Sequence, residues 1–149
     1  MFEPDYRFGV TFLVRHAWLN MRSAVAVALA DHGLSVQQYG ALMVLTFHPG
    51  HTVAEVGRSV GTARQSANEL VTGLEKLGLV ERRPNPNDRR TQQLFLTPAG
   101  DERLAAAAPA VLALEAELEA SFSTADRETA RDWLGQMVRD ANSYCADRS

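Results

Sequence analysis

Two short stretches carry residue types able to read a nucleic acid. Arg64, Gln65, Ser66, Asn68 and Thr72 offer a guanidinium, two carboxamides and two hydroxyls close together. Arginine pairs bidentately with the O6 and N7 of guanine, and Asn or Gln with the N6 and N7 of adenine. Further along, Arg82-Arg83 and Asp88-Arg89-Arg90 supply four more guanidiniums, whose planar fork suits phosphate oxygens. Other chemistries find less support. No Ser/His/Asp, Cys/His or paired-carboxylate arrangement has a spacing useful for catalysis, so no enzyme is expected. His48-Pro49-Gly50-His51 is an H-x-x-H, but a metal site normally needs three or four ligands and no cysteine lies nearby. His16 and His32 are the other histidines, and neither a metal nor another cofactor is expected. The single cysteine, Cys145, excludes an internal disulfide and reads as an incidental thiol.

These residues need elements to hold them. Residues 6–30 have helical periodicity without a clean polar face. Val14, Trp18, Met21, Val25 and Leu29 form one apolar stripe, and Val10, Leu13, Ala17, Ala24 and Ala28 a second. A helix apolar on two sides must be covered on two sides, and Gly33 reads as its stop. Ser35-x-x-Gln38, Thr52-x-x-Glu55 and Thr62-x-x-Gln65 each match a capping box and predict three helix starts. The first helix runs to about Phe47 and ends at His48-Pro49-Gly50. The second, 52–60, is two turns long and buries Val53, Val56 and Val60. The third, 63–77, buries Ala67, Leu70, Val71, Leu74 and Leu77 and stops at Gly78. Strand periodicity follows over 79–83 and 91–96, around a turn dense in Pro and Asn. Thr97-Pro98 opens a helix towards Phe122 that Pro109 should kink or divide, and a last helix starts near Ser123 or Thr124.

A two-turn helix, a tight turn and a longer amphipathic helix make a helix-turn-helix, and the hairpin after it, with its basic tip, is a wing. The fold expected is mainly α, an α+β winged helix-turn-helix with N- and C-terminal dimerisation helices. Residues 33–101 would form the DNA-binding lobe, and 1–32 with 102–149 the helical dimerisation region. On the 63–77 helix the positions left facing outward are Arg64, Gln65, Ser66, Asn68 and Thr72. Backbone N–H groups at its head, beside Thr62, can hold a phosphate.

Charge placement agrees. The 149 residues carry a net charge of −3, which looks wrong for a DNA-binding protein. Residues 1–50 balance three basic against three acidic side chains, and residues 101–149 hold five against ten. Residues 51–100 hold seven against five, and they contain the helix-turn-helix and wing. Location of charge decides the partner more than its sum does. A hydrophobic content of 46% fits a domain that folds without disulfide or metal. The first ten residues, with Glu3 and Asp5, do not read as a secretory leader. The least charged run, 23–30, falls well short of the roughly 20 residues that span a bilayer. A cytoplasmic protein with no membrane partner is expected.

The segment Leu74-Glu75-Lys76-Leu77-Gly78-Leu79-Val80-Glu81-Arg82-Arg83, then Pro86-Asn87-Asp88-Arg89-Arg90, then Leu94-Phe95-Leu96-Thr97-Pro98-Ala99-Gly100 resembles the MarR family of winged-helix regulators. The family's LexxGLVxR…DxRxxxLxLTxxG pattern is present with its spacing intact. The resemblance implies a homodimeric transcriptional regulator, a repressor at a pseudo-palindromic double-stranded DNA operator. It implies that Asp88 and Arg90 are the wing's D-x-R pair, and that Arg89 or Arg90 enters the minor groove. Arg64 matches an arginine frequent early in the family's recognition helix. Arg82 and Arg83 either contact phosphates or are solvated strand-end arginines, while the acidic residues of 101–149 would lie away from the DNA. Two positions depart from the pattern: Ala63 replaces a frequent hydroxyl, and Glu69 a basic or polar residue. Glu69 either accepts from a cytosine amino group or braces a neighbouring arginine. Regulators of this family commonly bind small aromatic or phenolic anions between lobe and dimerisation helices. Here Arg15, His16, Trp18, Met43 and Phe47 can line such an effector pocket, or Trp18, Met43 and Phe47 can be plain core. The alternative function is a winged helix that binds a protein partner instead of DNA.

Overall fold

The computed structural model describes residues 7–148. Residues 1–6, part of the N-terminal helical region read from the sequence and including Glu3 and Asp5, lie outside the described residues. The chain divides into two compact units between Leu112 and Ala113. The first holds α1 (Val10–Leu29), a 3-10 turn (Ala30–His32), α2 (Val36–Phe47), α3 (Val53–Ser59), α4 (Arg64–Lys76), β1 (Val80–Pro84), β2 (Gln92–Leu96) and the beginning of α5 (Pro98–Leu118). The second holds the end of α5 and α6 (Thr124–Ala146). The mainly α fold with one small antiparallel sheet is the winged helix-turn-helix expected from the sequence.

Of the three capping boxes read from the sequence, two form. Ser35 Oγ accepts from Gln38 N, and Gln38 Oε1 accepts from Ser35 N. Glu55 Oε2 accepts from both the N–H and the hydroxyl of Thr52, at 2.7 and 2.8 Å, while Glu55 N donates to Thr52 Oγ1. The third box does not form. Thr62 donates its N–H to the carbonyl of Gly57 and belongs to the α3–α4 turn. The N-cap passes to Ala63, whose methyl cannot accept a hydrogen bond, and no side chain caps α4. A further box, Ser123 with Asp126, opens α6. It escaped the Ser/Thr-x-x-Glu/Gln pattern because Asp replaces the longer acid.

The core lies where α2, α3, α4, the sheet and the base of α5 meet. Leu29, Leu42, Leu45, Val56, Leu74, Leu79 and Leu94 are buried there, each Leu contributing about 1.5–3 kcal/mol relative to exposure. α4 buries Ala67, Val71 and Leu74. Leu77, expected inside, is 49% exposed, because α4 ends at Lys76 and the chain reverses at Gly78 with φ 71°. α5 passes through Pro109 as one element. Pro109 and Ala105 both lie on its exposed side, where water can satisfy the carbonyl that the proline leaves unbonded.

Two contacts explain motif residues. A Cβ on Gly100 would stand 2.1 Å from the Leu79 carbonyl oxygen, so only glycine lets α5 lie against the β1 entrance. Thr97 locks the same corner: its N–H donates to Leu79 O, its hydroxyl to Gly78 O, and its Oγ1 accepts from Gly100 N. The two strands pair with Val80 opposite Leu96 and Arg82 opposite Leu94. The loop before α3 adds a third edge, through Gly50 N to Leu94 O, Leu94 N to His51 O and a bridge between Thr52 and Gln93.

Thr52 therefore joins α3 to the sheet, and its cap has a testable pH signature. Thr52→Ala should cost about 1 kcal/mol in denaturant unfolding. The bonds from the Thr52 backbone and hydroxyl hold the Glu55 carboxyl below the usual carboxylate range. A lowered folded-state value stabilises above the ordinary glutamate range, and that contribution is lost as pH falls through the lowered value. The stability lead of wild type over Glu55→Gln should thus be full at neutral pH and vanish on acidification; a pH-independent difference would contradict the charged cap.

Candidate nucleic-acid interface

α4 is positioned by its buried side. Ala67 approaches α3 so closely that a Cβ on Gly57 would sit 2.7 Å from the Ala67 Cβ. With 3.6 residues per turn, Gln65, Glu69 and Thr72 then occupy the strip opposite Ala67, Val71 and Leu74. Arg64 and Asn68 flank that strip on one side and Ser66 on the other. All six are exposed. Asn68 Nδ2 donates one hydrogen to the Arg64 carbonyl at 3.1 Å, which leaves its second N–H and its Oδ1 available for other partners.

The wing tip is a closed turn. Asp88 Oδ1 accepts from the backbone N–H of Arg90 at 2.9 Å, and Thr91 N donates to the Asp88 carbonyl. Asn85 Nδ2 donates to Thr91 Oγ1, and Asn85 Oδ1 accepts from Asn87 N. Asp88 thus shapes the tip, with its carboxylate turned to the chain itself. Asn85 and Thr91 share this work and were not singled out from the sequence; an Asx-turn signal at Asn85 was available.

The wing arginines differ in their engagement. Arg82 Nε donates to Glu75 at 2.9 Å and its Nη2 lies 3.5 Å from Thr72 Oγ1, which ties β1 to α4. Arg83 pairs with Glu81 and lies 4.3 Å over the Phe95 ring. Among the described residues, Arg64, Arg89 and Arg90 have no acidic partner. These three line one groove of about 400 Å³ with Arg82, Asn68, the head of α3 at Thr52 and Val53, and Thr91 and Gln92 of the wing. No acidic side chain lines it. Thr62 lies in a neighbouring groove with Arg58 and Arg64; Gln65, Ser66 and Thr72 line neither.

Of the five effector residues read from the sequence, Trp18 lines an apolar groove of about 430 Å³ on the first unit, with Val36, Gly40, Val44 and Val60. Arg15, His16, Met43 and Phe47 do not line it. Met43 packs on the core, Phe47 is 70% exposed, and the His16 ring lies 4.3 Å from that of Phe12. The His48 and His51 rings stack at 4.8 Å, and among the described residues no group of three or more His, Cys, Asp or Glu is placed to hold a metal ion.

Comparison with known proteins bears on this arrangement. A family model described as the MarR family matches residues 32–91. The chain is similar to the putative transcriptional regulatory protein for the hcr operon of Thauera aromatica, 32% identical over 107 residues. That match covers 72% of this chain and 64% of the relative, a little under two thirds of its length. It is also similar to the transcriptional regulator HosA of Escherichia coli O111:H-, 31% identical over 106 residues, covering 70% of this chain and 78% of that protein. The chain belongs to the MarR family. A solved structure, the transcriptional repressor CouR bound to a 23-mer DNA duplex, superposes with a TM-score of 0.77. Identity there is 25%, over 87% of this chain and 92% of that one. Among the described residues no helix is long and apolar enough to cross a membrane.

Proposed function

We propose that this MarR-family chain is a cytoplasmic DNA-binding transcriptional regulator without enzymatic activity, acting as a repressor on double-stranded operator DNA. The observation that carries the reading is the groove in which Arg64, Arg82, Arg89 and Arg90, drawn from the recognition helix, a strand and the wing tip, converge with no acid among them. Three of the four, Arg64, Arg89 and Arg90, have no carboxylate partner among the described residues and retain their full attraction for phosphates; Arg82 is held by Glu75. The uncapped head of α4 adds N–H groups favourable to an anion. Arg89 and Arg90 at the tip are the candidates for the minor groove, and Arg64 for a base or phosphate at the head of the major-groove helix. Within the proposed lobe of residues 33–101, Gln65, Ser66, Asn68 and Thr72 face the bases, while Thr62, Arg82 and Arg83 flank them. Asp88 acts through the shape of the turn. No observation favours a protein partner for the winged helix.

We also propose a homodimer. Phe12, Val14, Trp18, Leu19 and Met21 on α1 are exposed, as are Trp133, Leu134, Met137 and Val138 on α6. Apolar surface on this scale marks a protein interface, and residues 1–32 and 102–149 would supply it. Two-fold symmetry then matches a pseudo-palindromic operator whose half-site centres lie about one helical turn apart. An effector, a small aromatic or phenolic anion, would enter near Trp18, with Arg15 and His16 on the same helix. Binding to the arrangement unable to span the operator would release DNA by population shift.

Three measurements test these readings. With about 3–4 phosphate contacts per protomer, log K against log salt for the chain's own upstream DNA should slope at roughly −5 to −7; a flat profile would sink the DNA reading. Sedimentation at micromolar concentration should show a dimer, and a clean monomer would remove the interface. Titration with salicylate-type anions should quench Trp18 emission, read against Trp133→Phe, and weaken operator binding; binding unchanged at saturation would eliminate that effector class.

A further inference from the structure

We infer that Glu69 is a specificity-determining residue that selects a cytosine in each operator half-site. This rests on the DNA-binding reading above and concerns what the centre of the reading surface recognises.

Glu69 lies on the strip of α4 opposite the buried Ala67, Val71 and Leu74, the part of the helix that faces furthest from the core. It sits about 7–8 Å along the axis from Arg64, at 1.5 Å per residue, about one and a half turns into the helix from its head. Of the two roles open to it from the sequence, bracing an arginine is excluded. Among the described residues Glu69 forms no hydrogen bond or ion pair. The nearby acids behave otherwise: Glu75 holds Arg82 and Glu81 holds Arg83. Gln65, one turn before Glu69, and Thr72, nearly one turn after it, do not bond to it either.

An uncompensated carboxylate on a surface that approaches a polyanion repels every phosphate it nears, whatever the sequence. That penalty is offset only where the carboxylate accepts a hydrogen bond from the DNA. The major groove offers two donors, the N4 amino group of cytosine and the N6 amino group of adenine. Adenine sets its N7 acceptor beside N6, so a carboxylate that can only accept meets a repelling lone pair there. Cytosine presents its N4 donor with an aromatic C5–H on that side. The chemistry favours a C·G pair with cytosine on the strand facing Glu69. Arg64, one and a half turns away around the groove edge, remains free to read guanine or phosphate. A carboxylate here therefore raises discrimination and lowers affinity for random duplex at the same time.

The test is selection from a random duplex pool by the full-length wild type, Glu69→Ala and Glu69→Gln. Equal melting temperatures would establish that all three fold, as exposure of the side chain leads one to expect. Wild type should enrich one C·G pair per half-site at a fixed distance from the dyad. Glu69→Ala should lose that preference by roughly tenfold while binding unselected duplex more tightly. Glu69→Gln, which can donate as well as accept, should shift the same position towards A·T. If Glu69→Ala tightens binding to all sequences equally and leaves the selected sequence unaltered, Glu69 is only a general repulsive charge and the inference fails while the DNA-binding reading stands. If wild type enriches no sequence at all, both fall.

Discussion

The close approach of α3 and α4 governs what this protein presents to a partner. Gly57 has no side chain and Ala67 has only a methyl, and their backbones come together at a distance any larger side chain would forbid. Ala67 is fully buried as a result, and the orientation of α4 about its own axis is fixed. Every polar position on the helix inherits its direction from that contact. Arg64 and Asn68 turn towards the wing, and Gln65, Glu69 and Thr72 turn outward. The reading surface is the complement of a packing arrangement, and it would rotate with any change in that arrangement.

The arginines of the basic region separate into two classes by their partners. Arg82 and Arg83 serve the scaffold, one tying β1 to α4 and the other stacked on Phe95 beside Glu81. Arg64, Arg89 and Arg90 have no acidic partner among the described residues. The span 58–90 carries seven basic and four acidic residues, a small excess. Two of those acids, Glu75 and Glu81, are consumed by arginines that build the wing, and Asp88 is turned onto the Arg90 backbone. Three of the cations left over, Arg64, Arg89 and Arg90, share one groove, which is why a chain of net charge −3 can offer a cationic face.

Local chemistry made much of this legible in the sequence. Ser35 and Thr52 marked helix starts because short-range reciprocal bonds depend only on residues three apart. The Gly78 and Gly100 corner was visible as a spaced motif. Thr62 misled, because its hydroxyl had the right spacing while its backbone was claimed by Gly57, five residues earlier, a turn contact that periodicity does not reveal. Leu77 looked like core by period alone, yet the period ends where the helix does. Arg82 could not be told from Arg89 by sequence, since the difference lies in Glu75, which only the fold brings to it. Helical spacing puts Arg15 and Trp18 on one helix, but it does not reveal that Val36, Gly40, Val44 and Val60 line the groove beside Trp18.

Thr52 caps α3, bridges to Gln93 of β2 and lines the arginine groove, while Gly50 and His51 hydrogen-bond the Leu94 backbone. The base of the wing is thereby stapled to the helices on the side away from α4, and Arg82 staples it on the other. A hairpin anchored on both sides behaves as a stiff lever with little hinge at its root. Its tip keeps its place relative to α4 through these anchors. A displacement of α4 would therefore be carried to the wing tip, and a displacement of the tip back to α4.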